Sequence, residues 1–156
     1  MDGGEGEPNS ARKLVTQGEW AGWTVYGEEP FEDLTGPFYY RRTEDGGVVC
    51  AFRAEPKHMN GGNFMHGGCL LTFADYSLFC IGMDALGGTG SVTVSLNGEF
   101  LDAAMVGELI EATGEVTRAG GSLVFLRGLI RANGRPVLNF SATVKKRRRK
   151  PTDVAT

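Results

Sequence analysis

Residues 66–86 read HGGCLLTFADYSLFCIGMDAL, a stretch with no proline. Leu70, Leu71, Ala74, Leu78, Ile81 and Ala85 recur in it at helical spacing, the mark of a helix with a packed face. Phe73, Phe79 and Met83 lie elsewhere around the same cylinder. A helix that is apolar nearly all round is buried nearly all round, so the rest of the chain must wrap it. Gly87 and Gly88 supply the stop, because glycine takes the left-handed conformation that ends helices.

The flanks supply the wrapping. Downstream, Val92, Val94, Leu96 and Phe100 alternate with Ser91, Thr93, Ser95, Asn97 and Glu99, which is strand periodicity. Residues 107–118 alternate more loosely, Gly120-Gly121 makes a turn, 122–131 reads as a strand, and Asn133-Gly134 is a hairpin turn into 135–144. Upstream, Phe38–Tyr40 and Val48–Phe52 flank an Asp45-Gly46-Gly47 turn. Short turns join antiparallel neighbours. The expected architecture is α+β: an antiparallel sheet of about six strands curled around one long central helix. Three segments follow: an N-terminal extension over 1–33, partly disordered, with a short helix or packed lead-in over 11–34; a folded domain over 34–146; and a basic tail over 147–156.

Composition bounds the function. The chain has 156 residues, 41% hydrophobic and 22% charged, enough for one domain with its own core. Six of the 16 basic residues lie in 145–150 (KKRRRK), which leaves 10 basic against 18 acidic residues before that run. So acidic a body is a poor nucleic-acid binder. The run reads either as a solvated tail or as a clamp on cofactor phosphates. No apolar run reaches the ~20 residues of a membrane span, and the acidic start MDGGEGEPNS is unlike a signal peptide. Cys50, Cys69 and Cys80 sit among small or apolar residues without CxxC spacing, as reduced thiols do. A cytoplasmic setting is expected. With only His58 and His66, a metal site is not expected, nor any cofactor.

Several residues could carry chemistry. His66-Gly67-Gly68 stands at the start of the helix, where backbone N–H groups lack internal partners and the dipole is positive. Such amides can stabilise an oxyanion, although on the tripeptide alone tight helix–sheet packing is the favoured use of the glycines. Asp75 lies mid-helix on an apolar surface, where a carboxyl is costly unless paired or put to use. It reads evenly as a general base or as an acid bonded locally. Gly67 and Asp75 are eight residues apart, or ~12 Å along the helix axis. Both can serve one site only if a second, antiparallel copy of the helix lies alongside, as a two-fold dimer provides. Asn60 could orient a carbonyl or a water, and Thr93 could bond a carboxylate, though each also suits its local structure.

Taken jointly, Asn60-x5-His66-Gly67-Gly68-x6-Asp75, the strand carrying Thr93, and Phe100-Leu101-x5-Gly107-Glu108 resemble the hotdog-fold acyl-CoA thioesterases of the PaaI-like (phenylacetyl-CoA, 4HBT-type) group over about residues 34–146. The resemblance implies hydrolysis of an acyl-CoA, aromatic or medium-chain, with CoA as part of the substrate. It makes Asp75 the base or nucleophile, and the Gly67 N–H of the opposite subunit the donor to the thioester carbonyl. Asn60 would place the water or thioester, Thr93 would assist the carboxylate, and His66 would shape the turn, with Gly68 beside the substrate. It also implies a homodimer or a tetramer built as a dimer of dimers. Asp102-Ala103-Ala104 departs from the proline frequent in relatives. The alternatives are a non-catalytic acyl-CoA sensor, against which the mid-helix acid argues, and a dehydratase, whose catalytic histidine in a proline-containing loop is missing.

Overall fold

The computed structural model describes residues 12–88 and 90–147. Within them the chain forms β1 (Arg12–Leu14), β2 (Thr24–Tyr26), α1 (Pro30–Thr35), β3 (Tyr39–Arg42), β4 (Val48–Arg53), a 3₁₀ turn (Pro56–His58), α2 (Gly67–Ile81), α3 (Met83–Leu86), β5 (Ser91–Phe100), β6 (Leu109–Ala119), β7 (Leu123–Ala132) and β8 (Arg135–Lys146). The strands make one antiparallel sheet in the order β1-β2-β3-β4-β6-β7-β8-β5. It curls over α2, which touches β4, β5, β6, β7 and β8.

Eight strands stand where about six were expected. The two extra ones come from the N-terminal segment and have three residues each, too few for a periodic signal. Tryptophans anchor them. Trp20 stacks on Tyr39 with centroids 4.4 Å apart, and Trp23 joins Val49 and Ala51 in a small cluster apart from the main core. Val48, Cys50 and Phe52 face the main core instead, so β4 is covered on both sides, as its unbroken apolar run requires. The disorder expected over residues 1–10 lies outside the described residues, as does the tail from 148 on.

The long helix is interrupted. Gly82 divides α2 from α3, in a place where a Cβ would sit 2.9 Å from Leu126 Cδ2. Leu70, Phe73, Ala74, Tyr76, Ser77, Leu78 and Cys80 are buried. Phe73 packs edge-on to Phe52 at 4.7 Å, and burying one such ring contributes about 2–3 kcal/mol. Asn133 and Gly134 both have positive φ (46° and 83°), the primed-turn geometry that matches strand twist. Phe140 on β8 has Gly98 of β5 and Gly128 of β7 as its register partners. A Cβ at Gly128 would run into the Phe140 ring.

Candidate active site

His66 is the N-cap of α2, and its Nδ1 accepts the Gly68 N–H at 2.8 Å. The His66 carbonyl accepts from Cys69 N at 2.9 Å. Of the first three helical amides, only that of Gly67 has no acceptor among the described residues. A donor with the helix dipole behind it is thus left for something else. The Phe100 ring covers this glycine so closely that a Cβ there would lie 3.0 Å from Phe100 Cζ. Beside it opens a cavity of about 390 Å³ lined by Phe64, Met65, Leu70, Phe100 and Leu101. The histidine therefore shapes the turn, and the two glycines do different things.

Asp75 is half-buried, and Thr93 Oγ1 donates to its Oδ1 at 2.7 Å. This places the mid-helix acid against the first third of β5, with one oxygen oriented. Asn60 is drawn into a tight turn: its Oδ1 accepts the Gly62 N–H at 2.7 Å, and its own N–H donates to Phe64 O at 2.8 Å. Its NH₂ group is the end not used in that turn. Within one chain, Asp75 and Thr93 meet, as do His66, Gly67 and Gly68; the two groups stand ~12 Å apart along the helix.

Sequence reading missed three contributors. Arg135, just past the β7–β8 turn, straps the segment after β5: Nε donates to Asp102 Oδ2 at 2.7 Å, Nη2 to Ala103 O at 2.7 Å, and Nη1 to Glu108 Oε1 at 3.2 Å. That segment carries Ala104, whose carbonyl holds Met65 N at 2.7 Å, one residue before the cap. Burial alone would raise the Glu108 carboxyl, but the Met105 N–H and Arg135 outweigh it and hold it low. Next, Glu32 on α1 is pushed up to about 7, first by burial and then by the carboxylates of Glu29, Asp75 and Asp33. The last is His58, buried, with Nδ1 accepting the Glu55 N–H at 2.9 Å and Nε2 donating to Thr35 O at 2.7 Å. Burial holds its pKa below the ordinary value, and both ring nitrogens are engaged in building the loop.

None of the three cysteines forms a disulfide; Cys50 and Cys80 are buried, and burial raises the half-buried Cys69 to about 11. No helix among the described residues is long and apolar enough to cross a membrane.

Against known proteins, the family model for the thioesterase superfamily matches residues 62–138. A Pseudomonas aeruginosa protein described as an esterase is 31% identical over 118 residues, covering 75% of this chain and 88% of its own. Human acyl-coenzyme A thioesterase 13 is 30% identical over 99 residues, 61% of this chain and 68% of the relative. Among solved structures, the PaaI protein of E. coli superposes with a TM-score of 0.68 at 18% identity, covering 78% of this chain and 86% of that one. A Streptococcus pneumoniae thioesterase protein, solved with coenzyme A, gives 0.64 at 21% identity, covering 72% and 88%. Fold and sequence together make the chain a thioester hydrolase with the hotdog architecture. It belongs to the thioesterase superfamily.

Proposed function

We propose that the protein hydrolyses acyl-CoA thioesters to the free acid and CoA, in sites shared between two subunits. The observation that carries this is the Thr93–Asp75 hydrogen bond. It orients a carboxylate on a helix whose first amide, Gly67 N–H, has no acceptor among the described residues. The similarity to acyl-coenzyme A thioesterase 13 and to a thioesterase solved with coenzyme A supports the choice of carrier.

The edge strand supports the dimer. β5 has ten residues, no strand on its outer side among the described residues, and Val92 and Val94 more than half exposed. Two β5 edges paired antiparallel about a two-fold axis bring two α2 helices antiparallel. Gly67 of one subunit then approaches Asp75 of the other. In each site the thioester carbonyl accepts from the Gly67 N–H. Asp75 takes a proton from water as the water oxygen attacks the carbonyl carbon, or Asp75 attacks that carbon itself and forms an anhydride that water then hydrolyses to the free acid and the original carboxylate. The oxyanion is held by the amide, the C–S bond breaks, and the thiolate leaves. Thr93 keeps one carboxylate oxygen in place, so the other faces the reaction. Asn60 offers its NH₂ to the water or the thioester. His66 holds the turn, and Gly68 lies beside the substrate. Orientation and one base suffice, because a thiolate is a good leaving group.

Thiol release measured across short, medium, long and aromatic acyl-CoAs tests this. Wild type should release CoA from at least one acyl class. Asp75→Asn should lose about 10³-fold or more in kcat with its melting temperature kept. Equal turnover by the two proteins would remove Asp75 from the chemistry. Tight acyl-CoA binding with no release by wild type would favour the sensor reading.

A further inference from the structure

Residues 101–108 join β5 to β6 without regular secondary structure. Leu101, Asp102 and Ala103 line one side of the cavity beside Gly67, and Met65 and Leu70 line the other. The sheet holds the two ends of this segment. Leu101 N–H donates to Val137 O at 2.9 Å, and Gly107 N–H donates to Ala54 O at 2.8 Å. Between those ties only Ala104 is buried, and one methyl group is a weak anchor for the residues around it. The local carboxylates shape the turn. Asp102 Oδ1 accepts the Ala103 N–H at 2.8 Å, and Glu108 Oε2 accepts the Met105 N–H at 2.7 Å. Neither bond reaches another element of the fold.

Arg135 supplies that link. It opens β8, and its guanidinium donates into the segment at Asp102 Oδ2, Ala103 O and Glu108 Oε1. A planar fork fixes its acceptors in one arrangement, which a flexible ammonium does not. The residue after Ala103 is Ala104, whose carbonyl takes the Met65 N–H at 2.7 Å. His66 comes next, its N–H held by His58 O at 2.9 Å, and then the Gly67 amide, which has no acceptor among the described residues. The direction of that amide is therefore set from one side by the 3₁₀ turn and from the other by a segment that Arg135 pins to β8. Phe100, whose ring lies over Gly67, leads directly into the same segment. An oxyanion donor acts only at hydrogen-bond distance from the place where charge develops. A helix start that drifts out of that position keeps its amide and loses its use. Exposed ion pairs add little to global stability, so what the strap fixes is local.

We propose that Arg135 is a positioning residue for the hydrolysis, holding residues 102–105 so that Ala104 keeps the Gly67 amide aimed at the thioester oxygen. This rests on the acyl-CoA reading above. The test compares wild type with Arg135→Gln, Arg135→Lys and Asp102→Asn by thiol release from an acyl-CoA, by thermal melting, and by amide hydrogen exchange of the peptide covering 60–70. Arg135→Gln should lower kcat about tenfold and keep KM within about twofold, because the amide bond strengthens in the transition state. Its Tm should stay within about 3 °C of wild type. Exchange over 60–70 should quicken about tenfold, with peptides from β6 and β7 unchanged. Arg135→Lys keeps the charge without the fork and should recover less than half of the lost kcat. Asp102→Asn should cost about threefold, and nothing further when added to Arg135→Gln. Wild-type kcat in Arg135→Gln would overturn the proposal. So would full rescue by lysine, which makes charge rather than position the cause, and so would additive losses at 102 and 135. Faster exchange along the whole chain would mark a disturbed fold and overturn it as well. Failure of the hydrolytic reading looks different: wild type releases no thiol. Exchange then decides alone. Quickening confined to 60–70 keeps the hold of Arg135 on the helix start, and unchanged exchange removes it.

Discussion

β1 closes one edge of the sheet with three residues, Arg12–Leu14, while β5 closes the other with ten, Ser91–Phe100. Both edges are exposed, but in different ways. β1 is brief and offers two charged side chains and a leucine, and a short charged edge discourages pairing. β5 is long, carries exposed Val92 and Val94, and has Thr93 between them turned inward to Asp75. A long edge left open invites association, and it is this edge, beside the carboxylate, that the proposed dimer would cover. The contrast teaches that what closes a fold and what completes a site can be the same kind of element, told apart by length and by what lies behind it.

The contrast can be broken at its strong end first. Val92→Glu with Val94→Glu puts like charges along β5 at positions exposed in one chain. Sedimentation should show half the wild-type mass, and thiol release should fall at least about 100-fold. A monomer with full activity would separate the edge from the site. Behind the edge, Thr93→Val removes the bond to Asp75 and should lower kcat about tenfold, with Thr93→Ser close to wild type; kinetics that leave valine and serine alike would make the threonine a strand former only. On the other side of the site, Glu32 is lifted from the usual 4.5 to about 7. The protonated form is favoured in the folded state, so its contribution is full below pH 4.5 and is lost as pH rises through about 7. Glu32→Gln should therefore raise Tm at pH 8 and leave it unchanged at pH 4, and a scan with the opposite pH dependence would contradict the buried, carboxylate-crowded placement. The smallest effect belongs to β1: Leu14→Pro should cost under about 1 kcal/mol in denaturant melts, with turnover unchanged. A loss of activity there would mean that both edges matter.

What could be read in advance follows from how local each signal is. The central helix and the 133–134 hairpin are written in adjacent residues, through periodicity and a turn that needs two positive φ values. The bar on a side chain at Gly82, where α2 gives way to α3, is not, because it comes from Leu126, which arrives from β7. β1 and β2 escaped because three residues carry no period and their place depends on Trp20 and Trp23 meeting β3 and β4. In the site, His66-Gly67-Gly68 and Asp75 are legible as a helix start and a misplaced acid. Thr93 was one polar strand residue among several until its register set it opposite the helix. Arg135 lies 33 residues from Asp102 and 27 from Glu108, and nothing near it in the chain announces the strap. Asn60 illustrates the converse, since the local turn that it suits takes up its carbonyl oxygen.

Phe140, flanked by Gly98 and Gly128 on the neighbouring strands, bears on how such a chain can drift. The ring occupies the space that a side chain on β7 would need, while a Cβ at Gly98 would meet Leu71 Cδ2 and Leu138 Cδ1 instead. Gly128 cannot acquire even a methyl group while the phenylalanine remains, and the backbone oxygen of Thr113, 2.7 Å from where that methyl would sit, closes the position from another side. Position 128 should therefore stay glycine through descendants of this sequence for as long as 140 stays phenylalanine. That is a constraint set by volume alone, silent about catalysis, and it would persist in a lineage that had lost the activity.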